Sequence, residues 1–435
     1  MNNGTGLGLV TLIALVVGNM LGAGVFTTSG FALADLGSPV YVLVAWLVGG
    51  LLALCGAISY GALSRLMPVS GGEYYYLSRA VHPLAGFVAG WVSLWAGFTG
   101  AIAFAAITFE AYLLPATPDG LLPENVVATL AILLAALAHG VRLRNGVLLQ
   151  NLAVGLKLLF IGGFVLFVIL NADVAGWDGV AAWRDRPLPE FPVSAFALTL
   201  MWVSFSYSGF NASIYVASEV DDPRHNVSRA MILATLLIML VYLVLNAIFV
   251  FAPAPGVIAG REDVAALAAD ALAGEKLASA MRAIIAMALL TSVSAMMMAG
   301  PRVYAQMAAD GLMPAVLRFR EEVPSAAVAL QGVLAIVVVW MTGLRELLSY
   351  LGFTLGLSAA ASVASLFIVV RQRGLDAARI RGYPWVPVIF VTMTLVFATL
   401  AATHNPREMV AAVVTLLLAV LVYYLFGRQH QHLVD

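Results

Sequence analysis

Hydrophobic residues in this chain do not alternate with polar ones but run in long blocks, each closed by a short polar break. The blocks fall at 7–34, 39–64, 83–114, 124–141, 147–170, 194–219, 227–252, 278–308, 325–342, 346–371, 385–403 and 407–426. Each holds 18 residues or more, enough at about 1.5 Å per residue to cross a hydrocarbon layer about 30 Å thick. The longest polar connections, near 171–193 and 253–277, are too short to bury a core of their own. The pattern predicts an all-α polytopic membrane protein of about twelve transmembrane helices, with no soluble domain.

Of the 435 residues, 62% are hydrophobic and 10% charged, against about one quarter charged in a soluble domain, so a water-soluble fold is excluded. The formal net charge of −1 provides no global field to attract nucleic acid or an acidic partner, and binding must be local. The single cysteine, Cys55, lies inside an apolar block and has no partner for an intramolecular disulfide. Met1 to Leu7 carries no Lys or Arg, and the first block runs through Gly-Ala-Gly into further apolar residues. It reads as a retained first helix, not a cleaved signal peptide. With the N-terminus cytoplasmic, fourteen basic residues from Arg65 to Arg428 fall on the inner side and seven on the outer, with Lys157 left in mid-span. That excess predicts both termini inside and an even number of spans; the expected location is the cell inner (plasma) membrane.

Two blocks carry residues that soften a helix. GNMLGAGVF, 18–26, places Gly18, Gly22 and Gly24 at membrane depth. Close helix packing through Gly18 and Gly22 is one reading. The other is an interrupted helix, since Gly costs about 1 kcal/mol against Ala in a helix interior, and unwound backbone survives in a bilayer only beside protein or a water-filled cavity. In the sixth block, SFSYSGFNAS, 204–213, sets Ser206, Ser208, Gly209 and Asn211 into an apolar run, where serines can also simply bond back to their own backbone. Two such segments five blocks apart, in equivalent places of successive five-helix units, point to an inverted-repeat transporter with its site at mid-bilayer.

The chemistry of such breaks is specific. Free amides opening a half-helix, around Gly22, Ala23, Gly24 and Val25, favour a carboxylate. Free carbonyls closing the preceding half-helices, near Met20 and Leu21 and near Phe205 and Ser206, favour an ammonium group. A zwitterionic α-amino acid carries both charges and is the expected substrate class.

Ionisable residues at depth are few. Lys157 lies mid-way along the fifth block, beyond easy reach of either surface, so it must face the interior and meet carbonyls or hydroxyls, or shed its proton. It is either a structural tie or a coupling group whose charge replaces a bound cation or carries a transported proton. Glu110, near the outer end of the third block, either reaches the headgroups or joins that coupling. Glu219, Asp221, Asp222, Arg224 and Arg229 read as an inner-face salt-bridge network. His82, His139, His225, His404, His430 and His432 are scattered, with no zinc spacing, and no phosphate-binding loop is present. No metal and no cofactor are expected, and the consecutive Met296, Met297 and Met298 point to different helix faces, as packing residues do.

These residues carry a resemblance. GNMLGAGVF resembles the broken first helix of the amino acid, polyamine and organocation (APC) transporter superfamily, and SRLMPVSGGEYYYLSRAVHPLAGFVAGW, 64–91, is similar to its second-to-third-helix signature. FSYSGFNASIYVASEVDDPRHNVSRA, 205–230, and GPRVYAQMAADGLMP, 300–314, also resemble the family pattern, so the likeness runs in order from about residue 7 to 342. It implies a LeuT-like fold: a first five-helix repeat at 1–171, a second, inverted one at 172–372, and two added helices with a short cytoplasmic tail at 373–435, with helices one and six broken. It further implies sodium-independent amino acid transport, Lys157 in the place of a sodium ion beside Gly18 to Leu21 and Ser292 or Ser294, and Phe205 as an aromatic gate. Where many members have an acid after the glycine-aromatic pair of helix six, this chain has Asn211, so no cation-selective pocket carries over and neutral amino acids are expected. The expected function is therefore a secondary active transporter working by alternating access, proton-coupled or exchanging. A polyamine or basic amino acid carrier is the main alternative, and a channel or an intramembrane enzyme the remote ones. The amino acid, the lipid bilayer and protons are the expected partners.

Overall fold

The computed structural model describes residues 7–114, 123–140, 146–171, 173–184, 186–319, 324–374, 376 and 380–426. Arg142, Arg144, Arg320, Arg379 and Arg428, counted above for the inner face, and His430 and His432 lie outside the described residues.

Helix occupies all twelve apolar blocks. In chain order these are α1 (Leu9–Met20), α2 (Gly24–Leu36) and α3 (Pro39–Leu66), a short α4 (Gly72–Ala80), and α5 (Pro83–Leu113). They continue with α6 (Val126–Gly140), α7 (Gly146–Asn171), α8 (Val193–Ser206), α9 (Pro223–Phe251), α10 (Val264–Ala273), α11 (Glu275–Ala309), α12 (Ser325–Met341), α13 (Leu344–Gln372), α14 (Trp385–His404) and α15 (Pro406–Phe426). Seven of these, α3, α5, α9, α11, α13, α14 and α15, are each long and apolar enough to cross a bilayer, and α1 with α2 forms a further span bent by 42°. α6, α8, α12 and the Gly155–Asn171 stretch of α7 are shorter apolar helices. Among the described residues the sole β element is an isolated bridge between Leu7 and Val220.

Local chemistry sets the ends. Pro39, Pro83 and Pro223 stand in the first turns of α3, α5 and α9, where a missing N–H costs nothing. Gly37, at φ +63, closes α2 by returning its N–H to Leu33 at 3.0 Å, a left-handed cap that glycine adopts without strain.

The sixth block is interrupted, as its glycine and serines indicate: α8 stops at Ser206, the chain turns, and Ala212–Glu219 continues as a 3₁₀ helix. One expectation needs correction. The connection at 253–277 is not merely polar, because α10 forms within it and buries Val264, Ala265, Ala266, Ala268 and Ala269 completely. Ten residues make a helix about 15 Å long, half a bilayer, so α10 lies against α2 and α11 instead of crossing. Tyr112 at the end of α5 ties this layer, donating to the Phe26 carbonyl at 2.8 Å and accepting from the Ala265 amide at 3.2 Å.

Small residues bring the central helices together, as expected where no hydrophobic effect drives helix association. A Cβ on Gly49 would stand 2.3 Å from Val203, one on Gly61 2.4 Å from the Ser228 hydroxyl, and one on Gly352 2.5 Å from the Met201 carbonyl. α8 is thus gripped by α3 on one side and α13 on the other. α14 and α15 sit at the edge, with 28% and 17% of their most apolar windows buried.

Gly352→Val is expected to lose about 1–3 kcal/mol through overpacking, read as a lowered thermal midpoint in detergent. Gly162→Ala, whose Cβ meets nothing within 4 Å, should leave that midpoint unchanged or slightly raised.

Candidate functional site

The two softened segments meet. α1 ends with Leu21 returning its N–H to Val17 at 3.1 Å, after which the Gly22 N–H turns back to Met20 at 2.7 Å. α2 then starts at Gly24, so the Gly24 and Val25 amides have no helical carbonyl to bond. In the sixth segment Tyr207 and Ser208 close α8, Gly209 takes φ +95, and Ala212 bonds back to Gly209 at 3.0 Å. A Cβ on Gly24 would lie 2.4 Å from the Ser206 hydroxyl, and one on Gly209 3.1 Å from the Asn19 carbonyl. The glycines therefore let two backbones touch as well as bend.

Tyr242 of α9 joins them. Its fully buried hydroxyl lies 2.5 Å from the Met20 carbonyl and 3.1 Å from the Ser206 carbonyl, so one O–H serves the last carbonyls of both half-helices in turn. The Ser206 oxygen keeps a lone pair for a ligand, and the Met20 oxygen, which also accepts from Gly22, has one whenever the phenol turns to Ser206. Behind the phenol, Asn246 donates to the Tyr242 carbonyl at 2.8 Å and accepts from Ser29 at 2.5 Å, while Trp46 donates to Ser29 at 2.9 Å. Thr28 and Ser206 pair at 3.1 Å across the breaks. Trp46 and Tyr207 pack edge-on and tilted against the Tyr242 ring at 5.2 and 5.0 Å.

A cavity of about 680 Å³ opens beside this junction, within the usual range for small-ligand sites. Gly18, Met20, Gly22, Ala23, Gly24, Phe205, Ser206, Ser208 and Gly209 line it, together with Lys157 of α7 and Ser292 of α11. Lys157 is 6% exposed, and among the described residues no ion pair or hydrogen bond engages its ammonium group. Phe98, Phe104 and Met296 supply an apolar wall, with Phe205 edge-on to Phe104 at 5.2 Å. The cavity also runs past Val10, Thr11, Ala14 and Leu15 of α1, toward the start of the chain. At the opposite end, Arg345 of α13 pairs with Asp35 of α2 at 2.5 Å and stands over the Trp202 ring at 5.3 Å.

Five of the expected site residues are not among those lining the cavity. Leu21 and Val25 bury their side chains in the helix core, leaving only their backbone near the break. Ser294 turns from the cavity to His139, 2.8 Å away, because two residues along a helix face nearly opposite sides. Glu110 caps α6, accepting the Asn125 and Ala128 amides at 2.6 and 2.7 Å, so both its oxygens are engaged there. Asn211 lies below the break and donates to Glu73 at 3.3 Å. Sequence reasoning missed Tyr242, Asn246, Thr28 and Ser29. The available signal was Tyr242 with Asn246, polar groups four apart on one face of an otherwise apolar span.

Comparison with known proteins follows the same lines. The family model described as "Amino acid permease" matches residues 7–426. The chain is similar to the large neutral amino acids transporter small subunit 2 of Homo sapiens, 27% identical over 443 residues, covering 98% of this chain and 81% of that one. It is also similar to the Asc-type amino acid transporter 1 of Mus musculus, 24% identical over 432 residues with 96% and 80% covered. A third relative, the b(0,+)-type amino acid transporter 1 of Mus musculus, is 23% identical over 431 residues, with 97% and 87% covered.

Tyr242→Phe keeps the ring packing and deletes the hydroxyl shared by both breaks. It is expected to cost about 1–3 kcal/mol, the usual penalty for stranding a buried acceptor, visible as a lower thermal midpoint without substrate.

Proposed function

The chain belongs to the amino acid permease family, and from that membership we propose that it is a sodium-independent secondary carrier of neutral L-amino acids working by alternating access. The observation that carries this reading is the junction of the two breaks at one cavity. The Gly24 and Val25 amides face a substrate carboxylate with the positive end of the α2 dipole. The Met20 and Ser206 carbonyls face its ammonium group. Binding both charges through backbone makes the site indifferent to side-chain identity, and the side chain is chosen by the Phe98, Phe104, Phe205 and Met296 wall.

Charge favours neutral substrates. No Asp or Glu is among the residues lining the cavity, so a basic side chain would enter without a partner, at a cost of several kcal/mol. The relative named for large neutral amino acids agrees with that preference.

The finer architecture belongs to the same proposal. Twelve spans, an inverted repeat of 1–171 on 172–372, two added helices at 373–435, and cytoplasmic termini give the arrangement that sets α1 and α8 as partners. With the N-terminus inside, a cavity running along α1 and an Asp35–Arg345 pair joining α2 to α13 correspond to an inward-facing state. Lys157, when protonated, supplies a positive charge beside Gly18, in the place of a bound cation at the first break. Its protonation is the proposed coupling step, with simple exchange as the other mode.

Purified protein in proteoliposomes should take up labelled leucine when preloaded with unlabelled neutral amino acids, equally well in sodium and potassium buffers. Alanine or phenylalanine should compete and lysine should not. Lys157→Ala should lower uptake about tenfold or more, the effect of losing about 1.4 kcal/mol or more in binding or in a barrier, and flatten its response to a pH gradient. Strict sodium dependence would overturn the reading, and unchanged uptake by Lys157→Ala at every pH would remove the coupling role.

A further inference from the structure

The loop between α3 and α5 carries a carboxylate that the transport site does not use. Gly71 and Gly72 adopt φ of +136 and +59, and a Cβ on Gly72 would lie 2.2 Å from the Tyr215 ring. This close approach sets α4 against the 3₁₀ segment 212–219 and turns Glu73 inward, although it lies between two spans. One carboxylate oxygen accepts from the Tyr60 hydroxyl of α3 and, at 3.3 Å, from the Asn211 amide of the sixth-helix break. The other accepts from Ser358 of α13 at 3.1 Å. Three donors from three elements thus converge on one partly buried acid.

No cation balances it. The titratable groups facing Glu73 are Tyr60 from α3 and Tyr215 from the 3₁₀ segment, and α13 presents the Ser358 hydroxyl. Among the described residues no Lys, Arg or His pairs with it. Burial pushes its carboxyl above the usual carboxylate range, partly offset by donation from Tyr60 and Ser358. The segment it grips is also clasped at both edges. Ser70 and Ser218 exchange amide-to-hydroxyl bonds at 3.0 and 2.9 Å, and Leu7, just before α1, bonds Glu219 at 2.8 Å and Asp221 at 3.2 Å. The 3₁₀ segment therefore links the start of α1 to α4, with Asn211 and Gly209 at its hinge.

We propose that Glu73 is a proton-binding site that latches the inner half of the sixth helix: ionised, it holds Asn211 and Ser358 and keeps the segment docked; protonated, it releases them. The reading deepens the proposed transport and rests on it. An ionised carboxylate only accepts and suits three donors, whereas a protonated one places an O–H against them and loses the charge assistance. The proton comes from and returns to the inner aqueous phase. Burial raises the carboxyl and donation from Ser358 lowers it, so losing that donor on release raises it further, and protonation favours the released segment while ionisation favours the docked one.

The test separates latch from transport. Hydrogen exchange of segment 212–219, corrected for intrinsic rate and measured without substrate, should show protection falling about tenfold between about pH 8 and about pH 5.5 in the native chain. Glu73→Gln should give low protection at both values. Ser358→Ala, which removes one donor to the ionised form, should move the transition to higher pH. In proteoliposomes Glu73→Gln should exchange leucine at rates that no longer differ between the two pH values, while Glu73→Asp keeps a shifted dependence. Protection that is independent of pH in the native chain, or a Ser358→Ala transition at the native position, would overturn the latch even if leucine is carried. A pH-dependent latch in a protein that carries no amino acid would instead overturn the transport reading.

Discussion

A peptide group left without a hydrogen bond in hydrocarbon costs several kcal/mol, and no water is present to offset it. This chain breaks two helices at that depth, and the rest of the structure follows from how the exposed groups are accommodated. The terminal carbonyls of α1 and α8 are answered by one phenol, Tyr242, lying between them. The opening amides of α2 are left facing a cavity. What remains unmet is therefore polarised, with donors on one side and partly occupied acceptors on the other, and the proposed zwitterion site rests on that polarity.

Such an arrangement demands closeness. Gly24 against Ser206, and Gly209 against Asn19, allow the two breaks to share one cavity, and the glycines of α3 and α13 hold α8 in place from either side. The buried network from Tyr242 through Asn246, Ser29 and Trp46 then fixes the phenol's position. A polar core of this kind is strong only when every member is satisfied, which ties recognition to the packing of helices that never touch the substrate.

The two ends of the molecule differ in the same terms. One is closed by an ion pair between α2 and α13 with a tryptophan beneath the guanidinium. At the other, the 3₁₀ segment 212–219 packs Ile214 and Ala217 into the core and is otherwise tied by hydrogen bonds, to the chain start, to Ser70 and to Glu73. Bonds made by hydroxyls, amides and a single carboxylate are individually weak, and an element held by them can move without unfolding.

Periodicity and length were enough to place helix in every apolar block, because a bilayer admits little else and each block is long enough to cross it. The interruption of the first and sixth helices was also legible, since glycine and serine clusters at depth have few other uses, and Lys157 stood out because burying an ammonium group is costly. Three-dimensional contact decided the rest. Tyr242 looked like one aromatic in an apolar span, and only the approach of α9 to both breaks gives its hydroxyl two carbonyls. Glu110 and Ser294 carried the right chemistry in the right blocks, but helix phase and a neighbouring helix start directed them elsewhere. Residue type and spacing along the chain thus determined which segments cross and where they break. Which side chains meet at the break depended on the packing of distant helices, since a hydrogen bond reaches only about 3 Å.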